Sequence, residues 1–354
     1  MKSQQLNKRI IYYDFLKLVA ACMVVFYHLG TISFGIIDDT LYFPNINRII
    51  MNLCQISVPI FFMVNGGLLL NKNINKSMIY KSIKLIIIYI IWSKLIGGIT
   101  EIINMDNVRI TSDFLIKTII HNDYSLWFLK TLSILYFLYP LIKWIYDREN
   151  EIYLKIMLYT IFIFPFLYNY VILIFKVFNI EKYNLNMLPR TGFFTLYSIL
   201  YFTIGGLLSK DIKNRSIFDR TINKAIALII VGLALSTLEG IIMTNINKSM
   251  FDGVNSSFPT IGALLMSIGV FYTSSKMRIK QNGYVHRFIE FIGKNSMGVY
   301  IFHLPLVCIV KNIIGITTQT IYDSFFTAIC ITILSASINS IIKKVPIINW
   351  TIKI

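Results

Sequence analysis

The sequence predicts an all-α fold: a polytopic membrane helix bundle of about ten transmembrane helices, both termini cytoplasmic, forming a single domain over residues 1–354. Three observations carry that prediction. Hydrophobic residues make up 56% of the chain and the mean hydropathy is +0.66, above the range of soluble domains. Apolar runs of ~17–24 residues recur along the whole length, each long enough to cross a bilayer as a helix. Basic residues are distributed unevenly between alternate loops. With the amino terminus inside, about 23 Lys and Arg fall on the cytoplasmic side and about 8 outside. The formal net charge of +17 is therefore read as membrane topology and attraction to anionic lipid, and not as a nucleic-acid surface.

The runs lie at 10–31, 50–70, 83–103, 125–145, 156–177, 192–208, 224–244, 259–275, 291–313 and 323–342. The first is interrupted by Asp14, Lys17 and His28. A helix turns about 100° per residue, so the steps from Lys17 to His28 return to within ~20° of one face, ~16 Å further along. Asp14 shares that stripe. Charged groups at membrane depth are costly and face a wet or protein-lined interior, so the stripe predicts a polar path with an acid–base group at its far end. The basic start before an apolar run, and Val19-Ala20-Ala21-Cys22, resemble signal and lipoprotein cleavage sites. The interrupting charges and the following spans argue against cleavage.

The second span contains Pro59, which can kink it, and Gly66-Gly67, which permit close helix approach. Lys81 and Lys84 follow at the inner mouth of the third, one helical turn apart, a spacing that can clamp phosphates. The fourth opens on Ser125-Leu126-Trp127-Phe128-Leu129, an aromatic pair suited to the outer interface. The seventh holds Glu239, an intramembrane carboxylate and so a candidate site residue. The ninth carries a second polar stripe: Ser296, Tyr300 and His303 fall within ~60° of one another. Cys22, Cys54, Cys308 and Cys330 lie within spans, without metal-ligand spacing, and read as packing residues. The external loops, at 32–49, 104–124, 178–191, 245–258 and 314–322, are moderately polar, and an acceptor could dock there.

Several of these segments together resemble the membrane-bound acyltransferase-3 family, bacterial proteins that O-acetylate or otherwise acylate envelope glycans and antibiotics. The family's first span carries Arg or Lys, ten residues, then His; here that is Lys17 and His28, preceded by Asp14 and by Lys8-Arg9. Its Phe-Phe-x-x-Ser-Gly appears as Phe61-Phe62-Met63-Val64-Asn65-Gly66, and its Arg-x-x-Arg as Lys81-Ser82-Ile83-Lys84. Its Trp-Phe-Leu matches Trp127-Phe128-Leu129, its Tyr-Phe-x-x-Gly matches Tyr201 to Gly205, and its Gly-Lys-x-Ser-x-Gly-x-Tyr-x-x-His matches Gly293 to His303. Asn65 replaces Ser, lysines replace both arginines, and Ser125 stands where many members have His. Lysine binds phosphate as a point charge, without arginine's planar fork.

The resemblance implies an O-acyltransferase of the bacterial cytoplasmic membrane. Acetyl-CoA, the acyl donor, would bind from the cytosol with its phosphates near Lys81 and Lys84, and no metal is implied. His28 would act as general base on a hydroxyl of a glycan or other acceptor, with an acyl-histidine as the alternative. Lys17, paired with Asp14, would hold the donor. Glu239, Trp127, Ser296, Tyr300 and His303 would support the acceptor or His28. Partners would be the bilayer and envelope-biosynthesis proteins. The competing expectation is an exporter or flippase of a polysaccharide or lipid-linked sugar, which would use the same stripe as a conduit and need no thioester.

Overall fold

The computed structural model describes residues 9–33, 46–73, 77–104, 126–147, 151–178, 193–214, 222–247, 254, 260–316 and 320–352. Most of the loop residues expected to receive an acceptor, and Ser125, lie outside them. Among the described residues the fold is helical throughout, with no strand.

The first helix, α1 (Ile11–Ser33), carries Asp14 in its first turn, where a carboxylate complements the helix dipole. A short α2 (Ile46–Leu53) runs through one 3₁₀ turn, Cys54–Ile56, into α3 (Ser57–Leu69). The 3₁₀ turn lies just before Pro59, the position expected to kink this span. Pro59 itself sits in the first turn of α3, where no intrahelical N–H bond is due. Next come α4 (Ser77–Asn104) and α5 (Trp127–Asp147). Then α6 (Glu151–Ile161) continues into α7 (Tyr168–Val177) through a π-helical stretch, Phe162–Leu167. The remaining elements are α8 (Phe193–Asn214), α9 (Ile222–Asn247), α10 (Ile261–Ser275), α11 (Tyr284–Cys308), α12 (Ile321–Ile342) and the short α13 (Pro346–Asn349). Thr320 starts α12 with a capping box: its hydroxyl accepts from Asp323 N at 3.1 Å, and the Asp323 carboxylate accepts from Thr320 N at 3.2 Å.

Seven of these helices, among the described residues, are long and apolar enough to cross a membrane. Each of the ten segments expected from hydropathy falls largely on helix among the described residues. The segments at 156–177, 192–208 and 259–275 are not among the seven; Ile152–Phe164 and Ile261–Ser275 are shorter apolar helices, and α8 ends on Lys210, Asp211 and Lys213. The protein is a membrane protein by this measure and by the direction of its apolar surfaces. On α4, Ile79, Ile83, Ile86 and Ile90 are exposed along one side, a face that lipid would cover.

α1 is the hub of the bundle. It packs against α11, α12, α3 and α10. A second close contact joins α3 to α8. There a Cβ on Gly66 would strike the Phe202 carbonyl, and one on Gly205 would strike the Met63 backbone, so the two helices touch backbone to backbone. This contact, with the α1–α11 pair, fixes the walls of the cavity described next.

Candidate functional site

The polar stripe of α1 begins with a buried carboxylate. Asp14 is 2% exposed. Arg9, just ahead of the helix, grips it with two groups: Nη2 donates to Oδ1 at 2.7 Å and Nε donates to Oδ2. On the other side stands Gly293 of α11, where any Cβ would meet the Asp14 carboxylate. The i, i+3 spacing suggested Lys17 as the partner of Asp14, but the carboxylate is ion-paired to Arg9. Lys17 is left with no hydrogen bond or ion pair among the described residues, and it lines a cavity instead.

That cavity has a volume of 460 Å³, within the range of small-molecule sites. Besides Lys17, Lys72, Lys294 and Lys343 line it. Asn65, Tyr136, Ser296 and Tyr300 supply uncharged polar groups, and Phe61, Phe128, Leu132 and Met297 an apolar lining. Several of these side chains are held in place. The Tyr136 hydroxyl donates to Asn65 Oδ1 at 2.7 Å, and Asn65 Nδ2 donates to Phe61 O at 2.8 Å. The Tyr300 hydroxyl accepts from Phe128 N at 3.1 Å. Ser296 donates to Gly293 O at 3.2 Å. Lys17 of the α1 stripe and Ser296 and Tyr300 of the α11 stripe therefore meet at one cavity.

Beyond the cavity the same faces continue. A narrower void, too tight for a water molecule, is bounded by Ala21 and Val24 of α1, Val299 and Tyr300 of α11, and Phe61. Phe61 and Tyr300 border both spaces. Lys17, Ala21, Val24 and His28 are spaced to share one face of α1. At the far end the rings of His28 and His303 lie 5.1 Å apart. His303 is 1% exposed. Its Nδ1 lies 2.7 Å from the Tyr300 carbonyl and 3.2 Å from that of Val299. Carbonyls only accept, so Nδ1 carries the proton and Nε2 presents its lone pair. Nε2 has no hydrogen-bond partner among the described residues. Two imidazoles this close, on the faces of α1 and α11 that continue from the cavity, can move a proton.

Other expected residues lie elsewhere. Neither Lys81 nor Lys84 is among the residues lining the cavity. Lys84 Nζ sits 5.0 Å from the Trp350 ring, a cation–π contact with the segment that follows α13. That segment returns to the bundle: Trp92 of α4 donates to Thr351 O at 3.3 Å, and Ile352 lines the cavity. Glu239 is on α9, which packs on α10, and is outside the cavity lining. Trp127 packs against the core, while its neighbours Phe128 and Leu129 reach the cavity. Sequence reasoning gave no site role to Lys72, Tyr136, Lys294 or Lys343. The three lysines look like ordinary inner-end cations in sequence, and only their convergence distinguishes them.

The family model described as an acyltransferase domain, acyltransferase-3, matches residues 10–342. No curated protein and no solved structure matches the chain. The matched span runs from the start of α1 to the end of α12 and includes every helix that builds the cavity and the histidine pair. On that near-complete match, the chain belongs to the acyltransferase-3 family.

Proposed function

We propose that the protein is an O-acyltransferase of the bacterial cytoplasmic membrane. It moves an acyl group, acetyl by expectation, from cytosolic acyl-CoA to a hydroxyl of a cell-envelope or extracellular glycan. One observation above all supports this reading. In an acyltransferase-3 protein, the face of α1 that lines the cavity at Lys17 leads past Ala21 and Val24 to His28, beside His303. The ~16 Å between Lys17 and His28 suits an extended thioester arm. Its head group would stay in the cavity and its acyl group would reach the imidazoles.

In the reaction, His28 takes the proton of the acceptor hydroxyl as the oxygen attacks the thioester carbonyl. The tetrahedral intermediate collapses, the C–S bond breaks and the new ester forms. The proton held on His28 passes to the leaving thiolate. His303, with its Nδ1–H fixed by the Tyr300 carbonyl, offers Nε2 as an acceptor that orients His28 or the incoming hydroxyl. Lys17 faces the donor, and Asp14 with Arg9 fixes the start of α1 against Gly293.

The test is thioester turnover. Purified protein in liposomes receives radiolabelled acetyl-CoA with and without a crude envelope glycan fraction, alongside His28→Ala. The expected outcome is glycan-dependent transfer of label that the variant loses while still inserting. Full activity in His28→Ala would remove this mechanism. Glycan movement without thioester consumption would replace it with the exporter.

A further inference from the structure

After α12 the chain turns back into the bundle. Pro346 has no N–H with which to continue a helix, and Val345 before it is extended, at φ −86° and ψ 113°. α13 and the turn that follows then lie beside α4. The Trp350 ring meets Lys84 Nζ at 5.0 Å, and Thr351 O accepts from Trp92 Nε1 at 3.3 Å. Lys84 and Trp92 stand about 12 Å apart along α4. The next residue, Ile352, is 2% exposed and lines the same cavity as Lys17. The stretch therefore inserts into the bundle and supplies part of the cavity wall.

Its attachment is of a kind that can let go. Val345, Ile348 and Trp350 are exposed, so much of the apolar surface around α13 is not committed to the bundle. A cation–π contact on an exposed ring is weak. Asn349 Oδ1 is enclosed with no hydrogen-bond partner among the described residues, a cost that contact with water would remove. The near end is fixed instead: Lys343 Nζ donates to Lys294 O at 2.9 Å and to Asn295 Oδ1 at 3.0 Å, both on α11. Lys72 and Lys294 of the lining are exposed, so this end of the cavity meets solvent, and Lys343 and Ile352 belong to the same lining. A fixed start, a turn set by proline and a loosely seated far end are the parts of a hinged flap.

We infer that the stretch Lys343–Ile352 is a movable strap at the lysine-lined end of the cavity, latched by Lys84 on Trp350. A small molecule passes the latched strap, and a ligand with the bulk of a nucleotide enters when the strap swings out about Val345. The inference rests on the acyl-transfer reading for the identity of that ligand, the nucleotide thioester. It gives Lys84 the part of a latch and not of a phosphate clamp.

The test is size-selective labelling of the cavity. Ser296→Cys places a thiol on its lining. Full-length protein in phosphatidylcholine nanodiscs would be treated with a small methanethiosulfonate or with bulky fluorescein maleimide. Peptide mass spectrometry at position 296 keeps the native cysteines out of the readout. Trp350→Ala and Lys84→Gln are each expected to speed the bulky reagent about two- to fivefold, the scale of one exposed cation–π contact, and to leave the small reagent unchanged. The double variant is expected to match either single one, because both remove the same contact. Lys84→Arg keeps the contact and the wild-type rate. A chain ending at Val345, which also loses buried Ile352, is expected to speed the bulky reagent at least about tenfold. If that chain fails to fold, Trp350→Ala still decides. A bulky-reagent rate unmoved by these variants would overturn the strap. So would equal acceleration of both reagents, which marks general loosening. Effects that multiply in the double variant would overturn the latch. Excess coenzyme A is expected to protect the introduced thiol in the unlatched variants. Unlatching without such protection would keep the strap and overturn the thioester reading, whereas protection with no effect of the variants would overturn the strap and leave acyl transfer standing.

Discussion

Arg9 and Asp14 illustrate what a helical wheel cannot see. The wheel relates Asp14 to Lys17 because both lie on α1, and that pairing is the natural reading of the sequence. Arg9 precedes the helix, and only the path of the chain before Ile11 swings its guanidinium onto the carboxylate. The consequence is large for both residues. Asp14 is neutralised without Lys17, and Lys17 faces the cavity. Because the Asp14 side chain is 3% exposed and that of Arg9 41%, removing the arginine strands a buried carboxylate, while solvent on the arginine's side moderates the loss. Arg9→Gln is expected to lower stability by about 1–3 kcal/mol. Thermal unfolding in detergent would read this. Arg9→Lys is expected to recover part of it, since a lysine keeps the charge but not the two-pronged geometry. A Gln variant as stable as wild type would show that the pair contributes nothing net.

Whole helices differ in how much their sequences reveal about orientation. In α1 and α11 a few polar residues stand out against apolar surroundings, so the stripes containing Lys17, His28, Ser296, Tyr300 and His303 could be read directly, and they do converge. In α4 isoleucines occur on nearly every side, and nothing in the pattern says which side faces protein. The lysines at its inner end therefore gave no direction, and Lys84 turns out to stack on Trp350. The cavity's lysines come from α1, from a turn after α3, from α11 and from just past α12, a convergence that exists only in the folded bundle. The contact between α1 and α11 also sets a constriction. Ala21, Val24, Val299, Tyr300 and Phe61 leave no room for water between cavity and histidines, so a ligand arm must displace side chains there. Val24→Phe adds bulk at that point. It is expected to lower kcat by about a hundredfold, the scale of a misplaced reacting group, while coenzyme A binding stays within about twofold. Steady-state transfer and calorimetry on the same preparation would check this. An unchanged kcat would route the arm elsewhere.

At the scale of the molecule, hydropathy located the helices well and counted spans less well, because length and composition do not say how a broken or short helix such as α6–α7 or α10 sits in a bilayer. What the fold adds is which ends belong together. Asp14 near the start of α1 touches Gly293 of α11, and Lys343 just past α12 bonds to Lys294. The start of α1, the lower part of α11 and the end of α12 therefore lie at one end of the bundle, beside the cavity lysines. Sidedness and chemistry become one question. A nucleotide thioester made in the cytosol can be used only if that end faces inward, as the basic loops imply. A fluorescent protein fused after residue 354 is accordingly expected to fold and fluoresce in cells, and alkaline phosphatase inserted in 245–258 to be active. Active phosphatase at the carboxyl end would place the lysine cavity on the outer side. An acyl donor from the cytosol would then have no route to His28 from the cavity.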